Sequence, residues 1–305
     1  MTGFSADWLR QREPFDIASR SQALAAGFRT ALLRPRPSHS ALRIMDLACG
    51  SGANFRALAP VLQVDQEWLM VDHDPLLLAA QHTEIARWAA RHGWPCQDQA
   101  GALSIHVGPT RWLVRCQQLD LARDLEKLDL ASCDGLVTTA FLDLVSAAWL
   151  DRLSTLMTQS RRPMLATLTV DGRRTWSPGR SADRLIADAF LSHQGGDKGF
   201  GPSLGVEATS HLAANLAKAG YQVSTLASDW TIAPEHREML LAMAKEAAAV
   251  GIEANPANAH VVSDWLAHRL TDAQQGLLSL NVGHLDLLAV PESSCGKTST
   301  HCSEE

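Results

Sequence analysis

Long apolar runs are missing from this sequence. None approaches the roughly 18 residues that a helical bilayer span needs, so no transmembrane helix is expected. The first residues, Met1-Thr2-Gly3-Phe4-Ser5, lack the basic patch and apolar core of a secretory signal, and a cytoplasmic protein is expected. Positive charge is in deficit: 27 Lys+Arg stand against 33 Asp+Glu, a net charge of −6, a poor balance for non-specific binding of nucleic acid. The six cysteines (Cys49, Cys96, Cys116, Cys133, Cys295 and Cys302) form no CxxC pair and read as reduced thiols, not as a disulfide frame or zinc site. Twelve histidines form no HxxxH or HxH pair, and His211, His236, His268 and His284 stand isolated, so no metal is expected.

What is present is an ordinary globular mixture of 305 residues, enough for one elaborated α/β domain or two smaller ones. Residues 5–34 have helical spacing, with Trp8, Leu9, Phe15, Ile17, Leu24 and Phe28 on the apolar faces and Pro14 at an expected break or first turn. Arg34-Pro35-Arg36-Pro37-Ser38 reads as a linker. Strands and helices then alternate: Leu42–Leu47, a helix over 53–61, Trp68–Val71, a helix over Pro75–His92, then strands at Trp112–Cys116, Gly135–Thr139 and Met164–Val170. This pattern predicts a doubly wound parallel sheet with helices on both faces, whose ligand lies beyond the carboxyl ends of the strands. Residues 172–205 are polar and glycine-rich and read as a long loop. A helix over 206–219, a strand at Tyr221–Ala227, helices near 234–249 and 258–270, and one or two strands in Leu277–Val290 complete the reading. The expected layout is a helical cap over 1–37, a domain over 38–291 with insertions near 172–205 and 230–275, and a disordered tail over 292–305.

The most informative segment is Ile44-Met45-Asp46-Leu47-Ala48-Cys49-Gly50-Ser51-Gly52-Ala53-Asn54, an apolar strand ending in an acid, followed by a Gly-x-Gly turn that opens a helix. Gly50 and Gly52 let the backbone turn tightly and approach a ligand closely. A dinucleotide fingerprint needs a third glycine where Phe55 stands, and this loop carries no Gly-Lys-Ser/Thr for a phosphate. Asp46 would repel a pyrophosphate and suits a cationic ligand.

On these residues the chain resembles the class I S-adenosylmethionine-dependent methyltransferases. Their first motif runs acid-x-Gly-x-Gly-x-Gly, and Asp46 to Gly52 match it with Ala48 in the first glycine position. The resemblance implies a Rossmann-like, seven-stranded sheet with the last strand inserted antiparallel, and S-adenosylmethionine as cofactor. It assigns Asp46, Ala48, Gly50 and Gly52 to the cofactor loop. Asp72 would hold the ribose hydroxyls with His73 near the adenine face, Asp120 and Leu121 the adenine amino end, and Thr139 would close strand four under the methyl group. Arg12 or Arg20 would meet the methionine carboxylate if the N-terminal helix closes over the pocket; the plainer reading of Asp16 and Arg20 is an i,i+4 surface ion pair.

Asp143, after strand four, is the candidate catalytic base or partner of a cationic acceptor; it also suits an N-cap, as does Ser146. The loop with His193, Gln194, Asp197 and Lys198, preceded by Arg173, Arg174, Arg180 and Arg184, is the candidate acceptor site and suits an anion, with Trp176 and Phe200 packing on the acceptor or anchoring the loop to the core. The expected function is methyl transfer to a small molecule, without nucleic-acid or membrane partners. The strand-four Asn/Asp-Pro-Pro-Tyr motif is absent, which weakens an exocyclic-amine acceptor. The alternatives are a catalytically inactive S-adenosylmethionine-binding partner subunit and a nicotinamide-dependent oxidoreductase.

Overall fold

The computed structural model describes residues 5–34 and 40–292. The proline-containing linker, the tail beyond 292, Cys295 and Cys302 lie outside the described residues. Two helices come first, α1 (Ala6–Ser19) and α2 (Gln22–Leu33). Ser5 and Ser21 cap them, each side-chain oxygen accepting the backbone N–H three residues on. Pro14 lies inside α1 and does not break it; the chain turns at Arg20, whose backbone is extended.

The alternating part follows: β1 (Leu42–Leu47), α3 (Ala53–Leu62), β2 (Gln66–Asp72) and α4 (Pro75–Arg91). Asp74 caps α4 and Pro75 opens it, as a fixed φ and a missing N–H favour at a first turn. An unexpected antiparallel hairpin, β3 (Cys96–Gln99) and β4 (Ala102–Val107), leads into β5 (Thr110–Gln118). Then come α5 (Leu121–Asp124), β6 (Gly135–Thr139) and α6 (Ala147–Ser160).

The segment 172–205 departs from the expected loop. β7 (Met164–Ser177) runs seven residues beyond Val170, and 183–194 form a helix, α7 (Asp183–Gln194). Pairing with the last strand carries β7 onward where, Trp176 apart, the sequence shows only polar residues and glycine. After α7 come α8 (Ala208–Lys218), β8 (Tyr221–Ala227), β9 (Trp230–Ile232), α9 (Arg237–Ala254), α10 (Ala259–Gln274) and one continuous β10 (Ser279–Pro291).

The strands form one sheet in the order β3-β4-β5-β2-β1-β6-β7-β10-β8, with β9 also on β10. β5, β2, β1, β6 and β7 are parallel, and β10 is inserted antiparallel between β7 and β8. Set apart from the hairpin and β9, these seven strands are the doubly wound, Rossmann-like sheet expected above. β1 is buried on both faces save Arg43, as a central parallel strand must be. One face packs on α2, α3 and α4, where Phe55 stands edge-on to Trp68, Trp88 and Trp112 at 5.2 to 6.2 Å. The other packs on α6 and α8. β6 pairs with β7 only as far as Thr167, so the later half of β7 and the first half of β10, its antiparallel partner there, reach beyond the sheet edge. There, with β9, they carry a third core made with α7, α9 and α10. Among the described residues no helix is long and apolar enough to cross a membrane.

Candidate functional site

The carboxyl ends of β1, β2, β6 and β7 gather most of the residues assigned to a cofactor. Asp46, near the end of β1, is fully buried. Its Oδ1 accepts a hydrogen bond from Asn54 Nδ2 at 2.9 Å, and its Oδ2 is buried without a partner. Burial pushes its pKa from 3.8 up to about 7; the Asn54 amide and Arg20 pull it down, and Asp72 adds to the rise.

The loop that follows uses left-handed backbone at Ala48, Gly50 and Gly52, with φ of 52°, 51° and 81°. The two glycines have different duties. A Cβ on Gly52 would stand 2.9 Å from Gln81 of α4, so this glycine lets α3 and α4 pack. A Cβ on Gly50 would meet Leu9 of α1 at 3.3 Å, so α1 lies over the loop itself. Gly50 N–H donates to Asp72 Oδ2 at 2.8 Å, tying the loop to the end of β2. Asp72 Oδ1 accepts from Asp74 N–H and lies 3.3 Å from His73 Nδ1. A carboxylate offers about four lone-pair sites, so Asp72 keeps capacity for a ligand hydroxyl. Asp120 caps α5 through Oδ1, and Leu121 opens that helix.

Arg20 corrects the expected surface pair. Asp16 is bound by Arg12 instead, at 3.0 and 3.1 Å, and accepts from Trp230 Nε1 at 3.1 Å. Arg20 turns inward, donating to Asn54 Oδ1 at 2.8 Å, Thr167 Oγ1 at 2.6 Å and Thr139 Oγ1 at 3.0 Å. Its Nε is buried and unpartnered, and burial lowers its pKa against the pull of Asp16, Asp286 and Asp46. One chain of hydrogen bonds thus runs from Asp46 through Asn54 and Arg20 to the ends of β6 and β7. Sequence reasoning missed Asn54, Thr167 and Asp286. Asp286 is fully buried and accepts from Ser21 N–H and Leu168 N–H at 2.8 Å each, holding Leu168 at a φ of 58° in β7. An acid inside the apolar run Leu285–Ala289 was the available signal.

Asp143 is not an N-cap: Ser146 caps α6, accepting from Trp149 N–H at 3.3 Å. Asp143 is buried in a short 3-10 turn with Oδ1 unpartnered. Burial raises its pKa to about 6, while its own backbone, Arg12 and the backbone of Val170 favour the charged form. Arg12 also acts on the buried His284. Burial and then Arg12 lower its pKa to about 4, with Asp16 and Asp171 opposing.

The acceptor-side residues separate. Asp197 accepts from the N–H groups of Gly199 and Gly201, and Lys198 Nζ donates to the carbonyl of His193, so these three hold their own loop in shape. That loop docks beside Asp143: Ser203 Oγ donates to Leu144 O, Leu204 N–H to Val145 O, and Phe200 stands edge-on to Phe141 and Trp149. Trp176 is elsewhere, buried in the third core edge-on to Trp265, with the Arg269 guanidinium 5.3 Å from its ring. The extension of β7 puts it under α10, away from the loop it was expected to join.

No family model matches the chain, and no curated protein matches it. Many solved structures are similar to it, several of them S-adenosylmethionine-dependent methyltransferases. The cyclopropane synthase MmaA2 from Mycobacterium tuberculosis is 12% identical with a TM-score of 0.45, over 94% of each chain. A SAM-dependent methyltransferase from Thiobacillus denitrificans, in complex with S-adenosyl-L-homocysteine, is 15% identical with a TM-score of 0.41, over 94% of this chain and 99% of that one. One from Geobacter sulfurreducens, in complex with the same compound, is 13% identical with a TM-score of 0.43, over 96% of this chain and 100% of that one.

Proposed function

We propose that this protein transfers a methyl group from S-adenosylmethionine to a small-molecule acceptor, anionic acceptors fitting best. The observation that carries the proposal is the pair of unsatisfied buried atoms beside the glycine loop, Asp46 Oδ2 and Arg20 Nε. A buried charge without its full set of partners is costly, and each of these is answered by one end of an amino acid: an ammonium for Asp46, a carboxylate for Arg20. Asp72 has lone pairs left for ribose hydroxyls, and Asp120 Oδ2 with the Leu121 N–H suits an adenine edge. The residues present therefore fit the cofactor. Phe55, locked among three tryptophans, stands where a nicotinamide dinucleotide fingerprint needs glycine, which argues against the oxidoreductase alternative.

When bound, S-adenosylmethionine supplies an electrophilic methyl group on its sulfonium. The chain's own work is to bind, orient and exclude water. α1 is the cover: Leu9 rests on Gly50, and Glu13 grips Arg56 with two bonds of 2.6 Å while Arg56 Nη1 donates to Ser51 O in the loop. Asp143 Oδ1, with a pKa near 6, is placed to take a proton from an acceptor or to hold a cationic one.

Calorimetric titration with S-adenosylmethionine, S-adenosylhomocysteine and NAD tests the reading. Micromolar binding of the first two without NAD supports it. Binding of NAD alone, or of none of the three, overturns it. Binding of the first two without turnover on any acceptor favours the inactive partner subunit.

A further inference from the structure

The outer halves of β7 and β10 form one wall of a cleft, and α7 forms the other. Val170, Arg174 and Val282 line it from the sheet; Ala187, Phe190 and Gln194 line it from the helix. It is small and opens to solvent, with room inside for a carboxylate group and not for a whole ligand. Two buried polar atoms there have no hydrogen-bond partner, a terminal nitrogen of Arg174 (Nη1) and the side-chain oxygen of Gln194. Such atoms are uncommon in native folds, and two in one cleft point to something that pairs with them.

Arg174 differs from the other arginines of its region. Arg173 is answered by Asp171 and by both oxygens of Asp229, Arg180 by Asp272, and Arg269 by Asp183. Arg174 has no ion pair among the described residues. Its guanidinium lies 3.9 Å from the centre of the Phe190 ring, a contact that leaves the edge nitrogens free to donate. Glu246 exerts only a distant pull, and burial lowers the Arg174 pKa to about 10, still charged at neutral pH. Apart from Arg173, which its two acids hold, the remaining lining is apolar or glycine. The cleft therefore offers one uncompensated cation and one amide at the rim of a small apolar slot.

We propose that this cleft binds the carboxylate end of a small molecule, its anion on Arg174 and its polar edge on Gln194, with the body of the molecule leaving through the open mouth past Val170, Ala187 and Val282. The inference rests on the methyl-transfer reading and deepens it, because the backbone of Val170 also lies against the Asp143 carboxyl. The cleft thus adjoins the candidate base, and its occupant is the methyl acceptor.

The test is titration of the full chain with benzoate, benzyl alcohol and benzylamine, followed by saturation-transfer NMR, with and without S-adenosylhomocysteine. Benzoate is expected to bind at least tenfold more tightly than the other two. Arg174→Met should weaken it at least tenfold. Ala187→Leu, which fills the slot and keeps the cation, should do the same, and Arg87→Met on α4 should change nothing. Melting curves identify any variant that fails to fold; Ala187→Leu keeps the test decisive if Arg174→Met does. Equal binding of benzyl alcohol, or unchanged benzoate affinity in folded Arg174→Met, overturns the proposal. Loss of benzoate binding with S-adenosylhomocysteine binding intact overturns the cleft alone. Benzoate binding that needs Arg174, in a chain that binds no S-adenosylhomocysteine, keeps the carboxylate site and removes its link to methyl transfer.

Discussion

Replacing Asp46 by asparagine should make the chain more stable at alkaline pH and worse at binding its cofactor. Asp46 is fully buried, and burial raises its pKa from 3.8 to about 7. In the unfolded chain the carboxyl titrates near its ordinary value, so between about pH 4 and pH 7 the fold holds a proton that the unfolded chain releases. The stability contributed by that proton is fully present below about pH 4 and is lost as pH rises through about 7. Three units at 1.36 kcal/mol each set an upper bound of about 4 kcal/mol. Relaxation of the site and the attraction of Arg20 absorb part of this, and about 2 kcal/mol is the working figure. Asp46→Asn keeps the shape and the bond from Asn54 but cannot ionise. Urea unfolding of parent and variant, followed by tryptophan fluorescence at pH 4.5 and pH 8, should show their difference shifting by about 2 kcal/mol in favour of the variant at the higher pH. Calorimetry at pH 8 should show S-adenosylmethionine affinity at least tenfold weaker, on the scale for hydrogen bonds to charged groups. A variant destabilised equally at both pH values would refute the reasoning: Arg20 would then be holding the carboxylate charged throughout.

Ala48→Gly should stabilise the fold by about 1 kcal/mol, since Ala48 occupies a left-handed conformation that only glycine adopts without penalty; an unchanged urea midpoint would count against strain there. Asp72→Ala removes the acceptor for Gly50 N–H and should weaken S-adenosylmethionine binding by about 1.5–3 kcal/mol in calorimetry, whereas unaltered affinity would take Asp72 out of the site. Glu13→Gln loosens the bidentate grip on Arg56 and should speed cofactor association several-fold in stopped flow; an equal rate would mean that α1 is no cover. Asp197→Ala deprives two loop N–H groups of their acceptor and should raise the acceptor KM while sparing cofactor affinity, and the reverse pattern would separate that loop from Asp143.

The sheet was legible because each parallel strand is an apolar run bounded by turn residues, and buried parallel strands have no other way to read. Asp46, Gly50, Gly52 and Asp72 were legible because backbone conformation and a strand-ending acid leave a local mark. The β3–β4 hairpin left none: Gln97-Asp98-Gln99 is polar and exposed, and its pairing comes from β5. Arg20 shows a different limit. Its i,i+4 spacing from Asp16 is a true helical neighbour relation, yet three acceptors on Asn54, Thr139 and Thr167 take Arg20, while the buried Asp16 carboxylate is already held by Arg12 and Trp230. Those acceptors lie 34 to 147 residues away in sequence. The same holds for Arg173 and Arg174, neighbours of one type, of which one is neutralised by Asp171 and by Asp229, just ahead of β9, and the other is left uncompensated.

α1 has a further consequence. Glu13 and Leu9 fasten it to the glycine loop, while Arg12 and Asp16 on its other flank reach Trp230, Phe15 packs on His236, and Arg12 bears on Asp143. A ligand that displaces this helix to reach Asp46 also disturbs the surroundings of Asp143. The two halves of the site cannot be loaded independently. Steady-state kinetics should then be those of compulsory order, with one substrate admitted only after the helix has settled over the other.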